Sequence, residues 1–342
     1  MDSPESEKSL RRAAEILHAG GLVAFPTETV YGLGANALDA RAVTKIFTAK
    51  GRPTWDPLIV HIANEQQLQQ VVERVPAKAQ QMIGAFWPGP LTLLLPRHRQ
   101  LPDAVTAGRP KVAVRMPADP LALRLLELAA VPIAAPSANS FGRTSPTRAE
   151  YVLEDLAGRI DAIIDCGQTA LGLESTVVDV GETPPILYRP GMVTLERLKA
   201  ICPDMVRYRV PETPAVAQDS EPSPGVGLKH YAPRAKLTLI EPASAAAIAA
   251  LVAELASAGR QAGIMLFEEW APAAQEFSSA RIFSWGKRDD QEQLAHRLFS
   301  GLRELDSAGV DVILCPLPST DGLGEALRDR LIKAACPDES PR

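Results

Sequence analysis

Phe25-Pro26-Thr27-Glu28-Thr29-Val30-Tyr31-Gly32-Leu33-Gly34 follows directly on the apolar Leu22-Val23-Ala24. A buried strand over 22–25 therefore runs into a hydroxyl–carboxylate–hydroxyl triplet and then two glycines, and polar groups just past a strand end are where open α/β sheets present ligands. Gly32 and Gly34 permit backbone geometry and ligand approach that a Cβ would block. Taken alone, the stretch also reads as a strand followed by an ordinary turn, so its neighbours decide.

Upstream, Leu10, Ala13, Ala14 and Leu17 recur at helical spacing and stop at Gly20-Gly21, a natural helix exit. Downstream, Asp39 caps a helix through Ala49 that Gly51 ends. Strands are predicted at 58–62, 91–95, 112–115, 133–135, 162–164 and 176–180, with helices at 77–86, 120–129, 148–157 and 195–201. This order predicts an α/β fold, a twisted open mixed sheet with flanking helices. From Pro211 to Pro233 the hydrophobic period dissolves into prolines and glycines, a stiff linker. Strands at 237–240, 262–267 and 310–316 and helices at 244–258, 291–307 and 324–335 then predict a smaller α/β, Rossmann-like domain. The expected division is 1–207, linker 208–235 and 236–342.

At 342 residues, 46% of them hydrophobic, the chain can bury two cores. No apolar run approaches the roughly 20 residues of a membrane span and the charged start lacks a signal-peptide hydrophobic region, so a cytoplasmic protein is expected. Cys166, Cys202, Cys315 and Cys336 form no CxxC pair, which suggests neither a zinc knuckle nor a disulfide framework. Residues 236–342 carry 11 Lys/Arg against 16 Asp/Glu, so the formal charge of −5 belongs to that region and residues 1–235 are neutral. Cations gathered at loop motifs of a neutral domain suit a small anionic ligand better than a nucleic-acid backbone, which calls for a broad basic face.

The compact polar clusters are Lys50-Gly51-Arg52-Pro53, Pro57-Leu58-Ile59-Val60-His61, Trp87-Pro88-Gly89-Pro90, Val112-Ala113-Val114-Arg115, Pro136-Ser137-Ala138-Asn139, Glu174-Ser175-Thr176 and Tyr188-Arg189-Pro190-Gly191. Lys50 and Arg52 stand where a helix ends, which the macrodipole alone would favour; from one turn they also reach one phosphate chain. Arg115 interrupts an apolar strand, and an arginine there calls for a carboxylate or phosphate partner. Ser137 and Asn139 emerge at a strand terminus, as turn residues also do. His61, ending an apolar strand, is also the kind of histidine that serves structure alone.

In this order the clusters resemble the Sua5/YciO/YrdC family over residues 8 to 200, and the added carboxyl-terminal segment is similar to its longer members. Lys50 and Arg52 match the family's Lys-x-Arg signature, Ser137 and Asn139 its Ser-x-Asn signature. The resemblance implies synthesis of threonylcarbamoyl-AMP from L-threonine, bicarbonate or carbon dioxide, and ATP, for a tRNA adenosine modification completed by a downstream threonylcarbamoyl-transferase complex. It implies Lys50, Arg52, Ser137 and Asn139 as the catalytic set, with Thr29, His61, Arg115, Ala135 and Ser175 on the threonine side. Lys50, Arg52, Asp56, Lys111, Ser137, Ser145, Arg189, Gly225 and Tyr231 are implied on the ATP side.

Two positions depart from the family pattern: Asp56 stands where asparagine is common, and Lys111 where threonine is. No Walker-type loop, GxSxG elbow or HExxH helix is present, so magnesium is expected to enter with the ATP phosphates and no protein metal site is expected. Arg52→Ala is expected to cut turnover and leave the melting temperature nearly unchanged. Residues 211–234 are expected to fold over the nucleotide site as a lid, because Pro stiffness, Gly225 and Tyr231 exceed what a spacer needs. Competing readings are an RNA-binding module, against which the charge balance argues for weak or no direct tRNA binding, and a carbamoyl-transferring hydrogenase-maturation enzyme, whose zinc-finger cysteine pairs are missing here.

Overall fold

Val23, Ala24 and Phe25 form β1 (Val23–Phe25), every residue of it buried. Its successor β2 (Gly32–Asn36) returns antiparallel, pairing Val23 with Gly34 and Phe25 with Gly32. The glycines read as loop residues are thus strand residues. The reason is steric: a Cβ on Gly34 would stand 2.8 Å from the Phe25 ring and 2.9 Å from Ile133. Glycine is there to let a large aromatic cross the neighbouring strand.

The structure, a computed structural model, describes residues 4–209, 221–227, 230–242 and 244–336. Pro211 and Pro214 of the expected linker, and Lys229, lie outside the described residues. Contacts divide the chain into two units: Met1–Phe141, Pro146–Ala170 and Glu174–Gly227 form one, and Gly142–Ser145, Leu171–Leu173 and Leu228–Arg342 the other.

In the first unit, the described strands continue as β3 (Ile59–His61), β4 (Leu91–Pro96), β5 (Lys111–Arg115), β6 (Ile133–Ala134), β7 (Ala162–Ile163), β8 (Thr176–Asp179), β9 (Ile186–Arg189) and β10 (Val206–Arg207). They form one mixed sheet in the order β10-β9-β8-β4-β5-β3-β6-β2-β1-β7. Residues alternate between two cores, as the period of a strand requires. Ala24, Leu33 and Val60 pack with the helices Ala40–Lys50 and Ala149–Leu156 on one face, whereas Val23, Phe25, Ile133 and Ala135 pack with Pro4–His18 and Pro120–Ala129 on the other. Pro120–Ala129 starts where Asp119 accepts from the Leu121 and Ala122 amides, with Pro120 in its first turn, and buries Leu121, Leu125 and Leu126. Each such leucine contributes roughly 1.5–3 kcal/mol.

The helix Ala40–Lys50 decides where the Lys-x-Arg motif points. Asp39 accepts from the Arg41 amide at its start, and Gly51 closes it at φ 63° in the left-handed region, where glycine carries no Cβ penalty. The chain therefore turns sharply between Lys50 and Arg52.

The second unit holds β11 (Lys236–Ile240), β12 (Ala262–Phe267), β13 (Arg281–Gly286) and β14 (Val312–Pro316), all parallel in the order β11-β14-β12-β13. Ala245–Ser257, Gln291–Ser307 and Gly324–Ala335 are its α-helices, close to the expected spans.

Candidate functional site

The turn after β1 is folded by Thr27, whose Oγ1 accepts from the Thr29 and Val30 amides and donates to Val30 O at 2.8 Å. This ordering aims Thr29 Oγ1 at Arg115, which donates from Nη1 at 2.8 Å. Arg115, at the end of β5, also donates from Nε to Gly89 O at 3.3 Å and sets Nη2 2.6 Å from Glu28 Oε1. So Arg115 does have the carboxylate partner that a buried arginine calls for, and it is Glu28.

His61 is in register with Arg115 across the parallel β3–β5 pair and lies edge-on to Phe25, ring centroids 6.2 Å apart. Burial, and then the Arg115 charge, lower its pKa to about 3. It is a neutral imidazole at physiological pH. Ala135 completes this side through its amide, which donates to Ile59 O at 2.8 Å.

Lys50 is buried, and its Nζ donates to Ser137 O at 2.6 Å and to Asn139 O. Its own carbonyl accepts from the Phe141 amide, so one residue ties the helix end to both members of the Ser-x-Asn motif. Burial, followed by the Arg52 charge, holds the Lys50 pKa well below the usual lysine range, and an arriving anion would raise it again.

Arg52 donates to Asp56 O and Pro57 O and pairs with Asp56 Oδ1 at 2.8 Å, both side chains about 95% buried. Asp56, the departure from the common asparagine, is thus the counter-ion of Arg52. Among the described residues no group of three or more His, Cys, Asp or Glu side chains could hold a metal ion, so the chain's own residues do not make a magnesium cage.

On the far side of the sheet's centre, Arg189 donates from Nε to Ser175 O at 3.0 Å and from Nη2 to Ser175 Oγ at 3.1 Å. Thr92 Oγ1 lies 2.7 Å from the same Ser175 hydroxyl. Thr92 is a residue that the sequence motifs do not single out; its one signal is a hydroxyl inside the apolar 91–95 run. Gly191 lies against this turn so closely that a Cβ would stand 2.6 Å from both Glu174 O and the Thr176 amide.

Lys111 has two carboxylate partners, Asp179 at 2.6 Å and Glu182 at 2.5 Å. Burial lowers its pKa, but these partners outweigh it and raise the value. Asp179 is a partner that no sequence motif announces. Gly225 adopts φ 76° in a segment whose Glu221 amide donates to Trp55 O at 3.0 Å, with Ser223 buried.

Ser145 and Tyr231 belong to the second unit. There Tyr231, at φ 66°, stacks on Phe299, lies under the Arg330 guanidinium at 5.2 Å, and accepts through its carbonyl from Thr144 Oγ1. Ser145 is fully buried.

Two family profiles match the chain. One, described as "Telomere recombination", covers residues 15–191, and the other, described as "Threonylcarbamoyl-AMP synthase, C-terminal domain", covers residues 193–336. The chain belongs to the Sua5/YciO/YrdC family. Among relatives of this Sua5/YciO/YrdC chain, the threonylcarbamoyl-AMP synthase of Pyrococcus abyssi is 44% identical over 96% of this chain and 94% of its own. That of Bacillus subtilis is 44% identical with the same coverage. A solved structure of the P. abyssi Sua5 protein in complex with L-threonine matches with a TM-score of 0.87 and 43% identity, over 96% of this chain and 94% of that one. The mixed α/β architecture with its large sheet is therefore that of Sua5-type proteins. Among the described residues no helix is long and apolar enough to cross a membrane.

Proposed function

We propose that this chain makes L-threonylcarbamoyladenylate from L-threonine, bicarbonate or carbon dioxide, and Mg·ATP, releasing pyrophosphate. The observation that carries this reading is the near-full-length 44% identity to two proteins of that name, in a chain whose Lys50 Nζ donates to the carbonyls of both Ser137 and Asn139.

In this reading the threonine side is Thr29, His61, Arg115, Ala135 and Ser175, and the nucleotide side is Lys50, Arg52, Ser137, Asn139 and Arg189, with Ser145, Gly225 and Tyr231. The threonine ammonium gives up a proton to solvent, the resulting amine adds to carbon dioxide with formation of the N–C bond, and loss of a second proton from nitrogen to solvent leaves a carbamate. A carbamate oxygen then attacks the α-phosphorus in line, the new P–O bond forms, and the bond to pyrophosphate breaks. Positioning and charge neutralisation supply most of the acceleration. Lys50, whose ammonium rests on two backbone carbonyls, and Arg52, oriented by Asp56, supply the neutralising charge. Lys111 we assign to a structural role, since Asp179 and Glu182 match its charge.

The adenylate is the donor for threonylcarbamoylation of tRNA adenosine by a downstream transferase complex, in the cytoplasm. Residues 1–207 would be the catalytic domain, 208–235 a linker and 236–342 an accessory domain. The buried Ser223 and positive-φ Gly225 support a lid role for the linker's 221–227 segment.

The test is pyrophosphate release with each substrate withheld in turn. Release requires ATP, magnesium, threonine and bicarbonate together; equal release without threonine refutes the proposal.

A further inference from the structure

Glu28 sits in the most informative stretch of the sequence, yet none of the family signatures quoted above gives it a role. Its side chain is 90% buried, next to Arg115. The 2.6 Å contact is an ion pair but not a directed hydrogen bond: Glu28 Oε1 and Oε2 and Arg115 Nη2 all lack a partner in hydrogen-bonding geometry. A buried carboxylate with both oxygens unspent is costly unless a donor completes it. Among the described residues the neighbouring groups do not supply one. Arg115 spends Nε on Gly89 O and Nη1 on Thr29 Oγ1, and Asp119, the other carboxylate near the pair, accepts from the Leu121 and Ala122 amides. His61 is neutral, and its Nδ1 likewise lacks a partner.

The neighbouring hydroxyl, Thr29 Oγ1, is already in contact with Thr27 Oγ1 at 2.8 Å and with Arg115. What remains is a charge pair, one cationic and one anionic group side by side, each with directional capacity left over. The complementary ligand carries the same two charges in reverse order on one carbon: the ammonium and carboxylate of a free α-amino acid.

We propose that Glu28 and Arg115 together form a receptor for the α-amino acid zwitterion, with Glu28 accepting hydrogen bonds from the substrate ammonium and Arg115 donating to its carboxylate. This rests on the threonine-dependent function proposed above and adds Glu28 to it as a substrate-contacting residue. The pair explains why an acid is retained beside an arginine that binds an anionic group: without Glu28, Arg115 would favour any carboxylate, and with it the site favours those that also bear an adjacent positive charge.

Calorimetric titration of the full chain tests this with two probes, L-threonine and the 2,3-dihydroxybutanoate of matching configuration, in which a hydroxyl replaces the ammonium. Glu28→Gln is expected to weaken L-threonine by about 10- to 100-fold while changing dihydroxybutanoate by less than about threefold. Equal weakening of both probes, or an unchanged threonine affinity, overturns the proposal. Wild-type protein gives a second measurement that needs no variant: threonine affinity should fall as the substrate amine loses its proton in alkali, and dihydroxybutanoate affinity should not. Parallel behaviour of the two probes in that titration also overturns it. Failure of wild-type protein to bind threonine at all instead refutes the function on which the inference rests.

Discussion

Arg189 holds Ser175 at two points, its main-chain carbonyl and its hydroxyl, at 3.0 and 3.1 Å. The residue proposed for the nucleotide therefore grips one proposed for the amino acid, and Thr92 completes the hydroxyl's partners at 2.7 Å. Ser175→Ala removes a hydrogen bond to a charged donor, worth about 1.5–3 kcal/mol. It should raise the KM for threonine and for ATP together. Initial-rate measurements varying each substrate decide the point; a change confined to threonine would show that the two sides are not coupled through this contact.

The Arg52–Asp56 pair revises the expectation that Arg52→Ala leaves stability untouched. Both side chains are about 95% buried, and removing one partner of a buried pair leaves an uncompensated charge at a cost of about 3–5 kcal/mol. Arg52→Ala should lose both turnover and stability, and Arg52→Ala/Asp56→Ala should recover much of the stability but none of the turnover. Urea unfolding of the three proteins beside their pyrophosphate release separates the two roles.

His61 makes stability acid-sensitive. Its folded pKa of about 3 lies below the ordinary value of 6.5, so between those values the unfolded chain binds a proton that the native protein does not, and stability falls as pH falls through that window. At pH 5 the loss relative to pH 7 is about 2 kcal/mol. His61→Asn should flatten this limb; unfolding midpoints at pH 5 and pH 7 that differ equally in both proteins would assign the acid sensitivity elsewhere.

Lys111 is expected to behave as a structural cation. Lys111→Met strands the buried Asp179 carboxylate, so it should lower the unfolding midpoint while changing the ATP KM by less than about threefold. Its pair with Asp179 is partly exposed, so the stability loss should be modest, about 1 kcal/mol. A large rise in ATP KM with unchanged stability would return the residue to the nucleotide.

Elements with a strong period or a clear cap are legible in the amino-acid sequence itself. Asp39 and Gly51 bracket their helix as expected, and the helix 291–307 matches its expected span to the residue. β13 is not legible in this way: Arg281, Ile282 and Ser284 are exposed on it, and a strand with so little buried surface gives a weak apolar signal. β2 is hidden because glycine has low strand propensity, and the positions of Phe25 and Ile133 on the adjacent strands explain the choice at Gly34. The site shows the same limit. Residue types announce Lys50, Arg52 and Arg115, whereas their counter-ions, Asp56 for Arg52 and Glu28 for Arg115, depend on how a turn folds. Asp179, which meets Lys111 from 68 residues away in sequence, depends on sheet order, which local patterns do not encode.

A Cβ built on Gly191 would stand 2.6 Å from backbone atoms of the 174–176 turn. Every substitution there, even to alanine, must displace the peptide that carries Ser175, so the damage passes to a residue about fifteen positions away that keeps its own identity. A survey of variants would score Gly191 as intolerant and find no chemistry in it. The intolerance belongs to Ser175, read through a neighbour that has no room to change.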